Sequence, residues 1–472
     1  MPLMHNQRMG ADAARFPFLN RREEAGRLRS LLHRKEGALA VLYGRRRCGK
    51  SRLLREVLPA RRSAYYVGDD RESALQRGNL AAEIGRLLPG FDQVHYPDWA
   101  ALLARLWREA PRGTVLALDE FPALVWAAPE LPSLLQKHLD ASGSRGIHLI
   151  LCGSSQRMMQ GLVLDRNAPL YGRAREILKI APLAAGWIRK ALRLGRGTSA
   201  VDAYAVWGGV PRYWELAADF SNLNAAVRAL VLSPLGVLHD EPEGLLLDDL
   251  RDVTQPLSIL SLIGRGSHRL SEIGARLQKP ATSLSRPLRR LIDLDLVRRD
   301  VPFGVSPKDA KRTLYRIADP FLRFWFRFVE PHRSLLEARR IDAVARAVAL
   351  EFPRHVASVW EDLARDSVAW LGCFGRRWRP ASRWWGPGVD RSPMKIDVVA
   401  ESEDGEALLL GEAKWSNEAI SPTVAQQLER KAAKFPLVRG RKTYLAVWCP
   451  RPSARLRGVA TIGPDQVLRV LT

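Results

Sequence analysis

Cysteine is scarce and scattered in this 472-residue chain. The four cysteines, Cys48, Cys152, Cys373 and Cys449, lie far apart, and no two form a C-x-x-C pair. This spacing argues against a zinc site or a disulfide scaffold and favours a reducing cytoplasm. The chain also lacks any run of 18 apolar residues, and its amino-terminal stretch has no long apolar core. We therefore expect no membrane span and no signal peptide.

Acidic residues are too few to balance the basic ones. The chain has 74 Lys and Arg against 50 Asp and Glu, a net charge of +24, while its 46% hydrophobic content is ordinary for a folded protein. Such a surplus favours a polyanionic partner, and nucleic acid is the leading candidate. An arginine-rich proteome and a surface facing anionic lipid are the alternatives. The length predicts two to four domains.

The most informative stretch is Gly44–Ser51, GRRRCGKS, which fits the phosphate-loop pattern G-x-x-x-x-G-K-[ST]. An apolar run at 38–43 precedes it and predicts a strand, and an amphipathic run at 52–58 predicts a helix. Lys50 would meet the β- and γ-phosphates of ATP, and the Ser51 hydroxyl would hold Mg²⁺. The residues expected to surround the nucleotide here are Gly44, Arg45, Arg46, Arg47, Cys48, Gly49, Lys50, Ser51 and Arg52. Within this loop, Cys48 is either a reactive thiol of lowered pKa or a small filler.

A second apolar run, 114–118, ends in Asp119 and Glu120. Ligands of open α/β sheets bind at the carboxyl ends of buried strands. Asp119 would therefore help to hold Mg²⁺, and Glu120 would polarise the attacking water. A strand that ends in a solvated acidic loop is the alternative.

A third apolar run, 146–152, leads into Gly153, Ser154 and Ser155. Ser154 or Ser155 would sense the γ-phosphate, or either would cap the next helix. The segment 169–173 then ends in Arg173, just before an apolar strand at 176–180.

Six segments in this order resemble a prokaryotic AAA+ ATPase family that is common in archaea: FLNRREEAGRLRSLL, GRRRCGKS, LALDEF, LCGSS, LYGRAREILKI and WGGVPRYWELA. The resemblance extends from about Phe16 onward and implies a helical lid, a winged helix and a restriction-endonuclease-like tail. It also implies that Arg173 is an arginine finger acting in a homo-oligomer, and that Arg212 is a second γ-phosphate sensor. A structural salt bridge for Arg173 and a helix-surface position for Arg212 are the alternatives.

Three predicted helices (257–263, 270–277 and 283–296) and two flanking apolar segments form a winged-helix pattern. The third helix would present Arg286, Arg289 and Arg290 to DNA, although many winged helices contact only proteins. Pro287 predicts that this helix starts near Ser285 or kinks. The aromatic stretch 319–328 follows, and we expect it to be buried at a domain junction rather than stacked on bases.

Two apolar segments, 396–400 and 407–415, flank Glu403-Asp404-Gly405-Glu406 and predict a β-hairpin. A turn centred between Asp404 and Gly405 places Asp397 directly opposite Glu412. Facing like charges destabilise a sheet unless a cation lies between them. Lys414 shares this face, because side chains alternate along a strand. Such a group can bind Mg²⁺ and activate water. A hairpin with ordinary surface charges is the alternative.

The same residues resemble the D…E-x-K pattern of restriction-endonuclease-like nucleases, from about Val359 to the end. The pattern is weak by itself and gains weight from the strands around it. The resemblance implies that Glu361 is a further metal ligand and that Gln426 or Gln427 is a weaker member of the site.

The predicted fold is α/β: a P-loop AAA+ core with a helical lid, a winged helix and a carboxyl-terminal α/β restriction-endonuclease-like domain. The expected segments are a flexible tail (1–15), the ATPase core (16–183), the lid (184–245), the winged helix (246–318), a helical linker (319–350) and the nuclease domain (351–472). The leading hypothesis is a cytoplasmic ATPase that uses ATP and Mg²⁺, binds DNA and cleaves it, in defence or mobile-element control. The alternative is a regulatory ATPase whose tail is a non-catalytic binding module.

Overall fold

The computed structural model describes residue 16 and residues 18–141, 146–250, 252–306, 308, 312–416, 418, 420–451 and 458–472. The tail expected over residues 1–15 lies outside this range. No helix among the described residues is long and apolar enough to cross a lipid bilayer.

A parallel sheet forms the centre of the amino-terminal half. Its strands are β1 (Leu39–Tyr43), β2 (Ser63–Val67), β3 (Val115–Asp119), β4 (His148–Gly153) and β5 (Ala174–Lys179), in the spatial order β2-β3-β4-β1-β5. The strands β1, β3 and β4 are almost wholly buried, as expected for a parallel sheet covered on both faces. Their carboxyl ends therefore meet at one edge of the sheet.

Seven helices surround this sheet. They are α1 (Arg22–Leu32), α2 (Lys50–Val57), α3 (Ser73–Gly85), α4 (Trp99–Glu109), α5 (Phe121–Ala127), α6 (Leu131–Ala141) and α7 (Gln156–Met159), the last continuing as a π-helical turn at Gln160–Leu164. The phosphate loop joins β1 to α2, and its Gly44 passes so close to the strand β5 that a Cβ there would collide with the Ile180 carbonyl oxygen.

A helical segment follows. It comprises α8 (Trp187–Ala191), α9 (Gly197–Trp207), α10 (Pro211–Ala217), α11 (Leu223–Val227) with a π-helical turn at Arg228–Leu232, and α12 (Glu241–Leu247). Next come three more helices and a two-stranded antiparallel sheet: α13 (Thr254–Gly264), α14 (Leu270–Leu277), α15 (Ala281–Asp293), β6 (Val297–Asp300) and β7 (Leu314–Ile317).

The helix α15 begins earlier than Pro287 predicts. It starts at Ala281 and contains Pro287 in its interior, so the expected start near Ser285 is wrong. Proline removes the backbone hydrogen bond to the carbonyl four residues earlier, which here belongs to Ser283. Ser283 is exposed, so water can satisfy that carbonyl.

The aromatic helix α16 (Pro320–Phe328) leads through a 3₁₀ turn at Glu330–His332 and α17 (Arg333–Glu337) to the long helix α18 (Ile341–Leu371) and a 3₁₀ turn at Cys373–Gly375. All five aromatic side chains of α16 are buried. The predicted burial of these aromatic side chains is therefore confirmed, and their place at a domain junction stays a prediction.

The carboxyl-terminal part contains a second five-stranded sheet. Its elements are β8 (Ser382–Pro387), β9 (Pro393–Glu401), β10 (Ala407–Ala413), α19 (Pro422–Lys434), β11 (Lys442–Trp448), β12 (Val459–Ile462) and α20 (Pro464–Val470). The spatial order is β12-β11-β10-β9-β8, in which β8, β9 and β10 pair antiparallel and β10, β11 and β12 pair parallel. Apolar side chains of one sheet face join a core with α18, and those of the other face pack on α19.

Candidate functional site

The phosphate loop lies where β1 ends and α2 begins. Lys50 is the first residue of α2 and is only 5% exposed. Its Nζ donates hydrogen bonds to the carbonyl oxygens of Gly44 (2.7 Å) and Arg45 (3.2 Å). The ammonium group is therefore held inside the loop, where the helix N-terminus also favours negative charge.

Asp119 lies at the carboxyl end of β3, beside the loop. Its Oδ2 accepts a 2.7 Å hydrogen bond from the Tyr65 hydroxyl, and Ser51 and Cys152 also hydrogen-bond to this carboxylate. Burial by itself would raise the pKa of Asp119, but the hydrogen bonds from Cys152, Ser51 and Tyr65 outweigh it and hold the pKa below its ordinary value. The carboxyl group is thus ionised and adjacent to Ser51, as a magnesium-binding pair requires.

Glu120 and Ser154 come together across adjacent strand ends. Glu120 Oε2 accepts hydrogen bonds from the Ser154 hydroxyl (2.9 Å) and backbone N–H (3.2 Å). Ser155 instead caps α7, by accepting from the Met158 N–H. Of the two serines, Ser154 is therefore the one that contacts the candidate general base.

Arg45 connects the phosphate loop to a distant part of the chain. Its guanidinium donates to Asp319 Oδ2 at 2.5 Å and to the Tyr213 hydroxyl at 3.2 Å, and both members of the ion pair are buried. Burial by itself would lower the pKa of Arg45, but Asp319 reverses the shift, so the pKa is raised. Asp319 lies 274 residues beyond Arg45, and no sequence signal links the two.

The next two loop arginines also bind carboxylates from the segment around α12. Arg46 Nη1 lies 3.1 Å from Asp248 Oδ1, and Arg47 pairs with the buried Glu241. Sequence reasoning missed these partners, because single acidic residues in a helical segment give no signal of a loop 200 residues away. The three arginines thus tie the loop to α12 and to the start of α16.

Two further arginines, Arg173 and Arg212, were predicted to act on the nucleotide. Arg173 forms a bidentate ion pair with Asp140, with both N–O distances 2.7 Å. Arg212 is half-exposed and donates to Glu215 at 2.7 Å on the same helix, α10. Its neighbour Tyr213 contacts the phosphate loop through Arg45. The roles of Arg173 and Arg212 as finger and sensor stay predictions.

The remaining loop residues have structural partners. Cys48 is fully buried, and burial raises the pKa of its thiol despite nearby Arg45 and Lys50. The lowered pKa considered for Cys48 is therefore wrong. Arg52 donates to the carbonyl oxygen of Phe16, which fixes the start of the described chain against α2.

The hairpin of β9 and β10 has the predicted register. Leu408 pairs with Glu401 and Gly411 with Val398, positions equidistant from the point between Asp404 and Gly405. Continued by one residue beyond Val398 and Gly411, this register sets Asp397 opposite Glu412, and the two residues are 2% and 3% exposed. Asp397 Oδ2 also accepts a 3.3 Å hydrogen bond from the Ala413 N–H, so its carboxylate lies against β10.

Three lysines surround these two carboxylates. Lys414 Nζ lies 3.0 Å from Glu412 Oε2, Lys431 Nζ lies 2.6 Å from Glu412 Oε1, and Lys395 Nζ lies 3.5 Å from Asp397 Oδ1. Lys431 comes from α19 and was missed, because only tertiary packing brings this helix onto the strand. The expected glutamines on the same helix, Gln426 and Gln427, are both exposed.

The neighbouring charges determine the ionisation states of Asp397 and Lys414. Burial favours a raised pKa for Asp397, but Lys395, the Ala413 N–H and the other lysines outweigh it, and the pKa is lowered. Burial favours a lowered pKa for Lys414, but Glu412, Asp397 and Glu361 outweigh it, and the pKa is raised. Lys414 is therefore an ammonium group at neutral pH and would act through its charge.

The residues fit a magnesium ion in part. Among the described residues, no group of three or more His, Cys, Asp or Glu side chains is gathered closely enough to hold a metal. Magnesium is usually bound by one or two carboxylates together with water and substrate phosphates, which does not require a third. Asp397 Oδ1 is buried and accepts no hydrogen bond, so one oxygen is available. Asp397 therefore offers a metal one oxygen that accepts no hydrogen bond, whereas both carboxylate oxygens of Glu412 accept hydrogen bonds from lysines.

Two segments of the chain match known protein families. Residues 18–216 match the model of an ATPase domain found predominantly in Archaea. Residues 325–433 match a family described as archaeal and bacterial proteins of unknown function. The first match therefore contains the phosphate loop, Asp119, Glu120 and most of α10, and the second match covers α18, β9, β10 and most of α19.

Individual relatives cover most of the chain. An uncharacterized protein of Methanocaldococcus jannaschii is 26% identical over 406 residues, which are 85% of this chain and 88% of that protein. The Walker-type ATPase PABY2304 of Pyrococcus abyssi has a TM-score of 0.50 at 21% identity, covering 65% of this chain and 95% of that one. The ORC2 protein of Aeropyrum pernix has a TM-score of 0.41 at 18% identity, covering 70% and 97%. The Pyrococcus likeness shows that the parallel sheet has the fold of a P-loop ATPase, and the family match supports ATPase activity and ATP as its nucleotide.

Proposed function

We propose that the protein is an ATPase that binds DNA and cleaves it with magnesium bound at the Asp397–Glu412 pair, under the control of the nucleotide. The observation that carries this proposal is the register of the β9–β10 hairpin, because its continuation sets the buried Asp397 opposite the buried Glu412, whose carboxylate accepts a hydrogen bond from Lys414. Without a cation or a surrounding lysine group, such a pair of facing carboxylates would destabilise the sheet.

We assign ATP hydrolysis to residues at the edge of the first sheet. Lys50 would bind the β- and γ-phosphates, and Ser51 and Asp119 would hold Mg²⁺. Glu120, oriented by Ser154, would accept a proton from the attacking water. Magnesium would neutralise charge on the phosphates as it does in other P-loop ATPases.

DNA cleavage falls to the second sheet. Asp397 and Glu412 would hold Mg²⁺, which when bound lowers the pKa of water and neutralises charge on the phosphodiester. The Lys414 ammonium would stabilise negative charge that develops on the phosphate. Glu361 contributes to the charge around Lys414 and stays a predicted ligand. This chemistry is that of a restriction-endonuclease-like domain.

DNA binding is assigned to the segment from α13 to β7. Its three helices, followed by a two-stranded antiparallel sheet, support the prediction of a winged helix. The third of these helices, α15, buries Leu284, Leu288 and Leu291 and exposes Arg286 and Arg289. An exposed basic helix face is the form in which such motifs enter the major groove.

A chain of contacts supports control of the second sheet by the first. Arg45 pairs with Asp319, which caps α16. One turn along this helix, Arg323 binds Asp362 of α18 at 2.8 Å. Asp362 also binds Arg365, whose Nη1 donates to the Asp397 carbonyl oxygen at 2.8 Å. A nucleotide that competes for Arg45 would therefore act on the backbone of Asp397.

A second function is favoured by one observation. Both carboxylate oxygens of Glu412 are bound by lysines, Lys414 and Lys431, so a metal would have to displace at least one ammonium group. In a regulatory ATPase with a non-catalytic tail, these lysines would simply neutralise the buried carboxylates.

The test compares metal-dependent cleavage by wild type, Lys414→Ala and Lys442→Ala. Lys442 is an exposed lysine on the adjacent strand β11 and serves as the matched control. We expect Lys414→Ala to lose cleavage by at least about 10²-fold, as for other transition-state charge partners, with ATP turnover unchanged and Lys442→Ala active. Equal cleavage by all three proteins would refute the site, and no cleavage by any of them would favour the regulatory ATPase.

A further inference from the structure

A basic cleft separates the three-helix segment from the second sheet. Its walls come from the end of α13, from β7, α16 and α18, and from β8 and β9. The cleft has a volume of about 600 Å³, within the range typical of ligand sites. We call it the junction cleft.

The junction cleft concentrates positive charge. A single carboxylate, Glu361, faces it, and seven cationic side chains line it: Arg265, Arg316, Arg323, Arg327, Arg354, Arg383 and Lys395. These cations come from five elements of the fold and from the residue that follows α13, so tertiary structure alone gathers them. Cations packed together without anions destabilise a folded protein.

Four of the seven cations are paired with carboxylates beside the cleft. Arg265 pairs with Glu330 and Arg327 with Glu351, both at 2.8 Å. Arg323 pairs with Asp362 at 2.8 Å, and Lys395 lies 3.5 Å from Asp397.

The other three cations have donors to spare. Arg316 Nη1 is buried without a hydrogen bond, and its carboxylate neighbour Asp362 lies 4.0 Å away. Arg383 comes no closer than 4.0 Å to Asp300. Arg354 is exposed and forms no ion pair within the described part of the chain. Burial and, next, the repulsion of Arg316 lower the pKa of Arg383.

An anion in the cleft would relieve this crowding. Guanidinium groups are the preferred partners of phosphate, because their N–H donors match two phosphate oxygens at once. Three guanidiniums with unused donors can therefore hold more than one phosphate group. A nucleic acid strand supplies such phosphates at regular spacing, and the net charge of +24 favours the same partner.

The cleft also adjoins the candidate metal site. Lys395 lines the cleft and lies 3.5 Å from Asp397 Oδ1, the oxygen that accepts no hydrogen bond. Glu361, the carboxylate in the cleft, acts on Lys414. A phosphate chain in the cleft would thus lead directly to the carboxylate pair.

We propose that the junction cleft binds the phosphate backbone of a DNA strand through Arg316, Arg354 and Arg383 and leads it to Asp397 and Glu412. Binding in the cleft stands on its own observations, and delivery to the carboxylates rests on the proposed nuclease function. DNA would then contact the α13–β7 side of the three-helix segment, in addition to the exposed face of α15.

The test measures binding of a labelled 20-nucleotide DNA strand to the full-length protein by fluorescence anisotropy. EDTA is present throughout, so cleavage plays no part. Arg354→Glu and Arg383→Gln are compared with Arg346→Glu, which changes an exposed arginine two turns away on the same helix, α18. Unfolding midpoints equal to that of wild type show that each variant is folded.

We expect wild-type affinity to fall steeply with salt and each cleft substitution to weaken binding several-fold. The slope of log affinity against log salt should flatten by about 1 for each lost phosphate contact. Arg346→Glu should bind as wild type does. Polyglutamate, a polyanion without phosphate, should not displace the DNA.

Binding by the cleft variants equal to that of Arg346→Glu would overturn the proposal, even if the protein cleaves DNA. Displacement by polyglutamate would also overturn it, because the cleft would then accept any polyanion. Weakened binding without any cleavage in a separate magnesium assay would support the cleft and refute the nuclease function.

Discussion

At the scale of single residues, Lys50 is the group on which the proposed ATP hydrolysis depends. It is buried, it begins α2, and within the described part of the chain its Nζ donates to two carbonyl oxygens of its own loop, those of Gly44 and Arg45. Its charge is therefore available to phosphate oxygens at the cost of two weak partners.

Replacing Lys50 by alanine should lower the rate of ATP turnover about 10²-fold or more, because the cation positioned at the transferring phosphate is lost. Phosphate release at saturating ATP measures the effect. Glu56→Ala, on the exposed side of the same helix, is the control and should hydrolyse ATP normally. Normal hydrolysis by Lys50→Ala would contradict the assignment of the loop.

The sequence predicted those residues whose role follows from local pattern. Lys50, Ser51 and Asp119 stand at fixed positions relative to predicted strands, and the structure brings Ser51 and Asp119 into contact. The partners of Arg45 and Arg47 were not predictable. Such pairs form because helices from distant parts of the chain pack against the loop. From the sequence alone, many other arginines could pair equally well with any one carboxylate.

At the scale of elements, the β9–β10 hairpin shows which features of a hairpin the turn sequence predicts and which it does not. The Asp404-Gly405 signal placed the centre of the hairpin correctly, and the centre determines which residues face each other. The loop itself is longer than a two-residue turn. The Ser402 N–H donates to the Ala407 carbonyl oxygen, so four residues lie between the paired positions. The Ser402 hydroxyl also donates to the Asp404 carboxylate and accepts from the Ala407 N–H, which holds the loop closed.

The helix α16 depends on Asp319 in two ways. Asp319 caps the helix by accepting from the Leu322 N–H at 2.9 Å, and it pairs with buried Arg45. Loss of a cap costs about 1 kcal/mol, whereas loss of one partner of a buried ion pair costs about 3–5 kcal/mol. We therefore expect the ion pair of Asp319 with Arg45 to contribute more to the free energy of unfolding than the helix cap does.

Asp319→Ala should lower the free energy of unfolding by about 3–5 kcal/mol. Asp98→Ala removes the exposed cap of α4, which accepts from the Ala101 N–H at 2.7 Å, and should cost only about 1 kcal/mol. Urea unfolding curves of the two variants measure the difference. Equal losses would mean that the Arg45 pair contributes nothing beyond capping.

At the scale of the whole molecule, the predicted segments share one apolar core. Buried side chains from α1, the helices α8 to α11, α16, α18 and the second sheet form a single cluster. The chain end also returns to the helical segment, where the Gly186 N–H donates to the Leu471 carbonyl oxygen at 2.8 Å. Composition and periodicity predicted the separate pieces but not this shared core, because it arises from long-range packing.

Such a core supports the proposed effect of the nucleotide on the second sheet, because the two sheets share packed side chains. The contacts from Arg45 through α16 and α18 end at the backbone of Asp397. In the proposed function, ATP at the phosphate loop controls cleavage at the carboxylate pair, some 350 residues further along the chain.

The most direct measurement is the rate of magnesium-dependent DNA cleavage with and without ATP, for wild type, Lys50→Ala and Lys414→Ala. We predict that ATP raises the wild-type rate, that Lys50→Ala cleaves at one rate whether or not ATP is present, and that Lys414→Ala does not cleave. A wild-type rate that is unchanged by ATP, or a Lys414→Ala protein that cleaves as wild type does, would contradict this account.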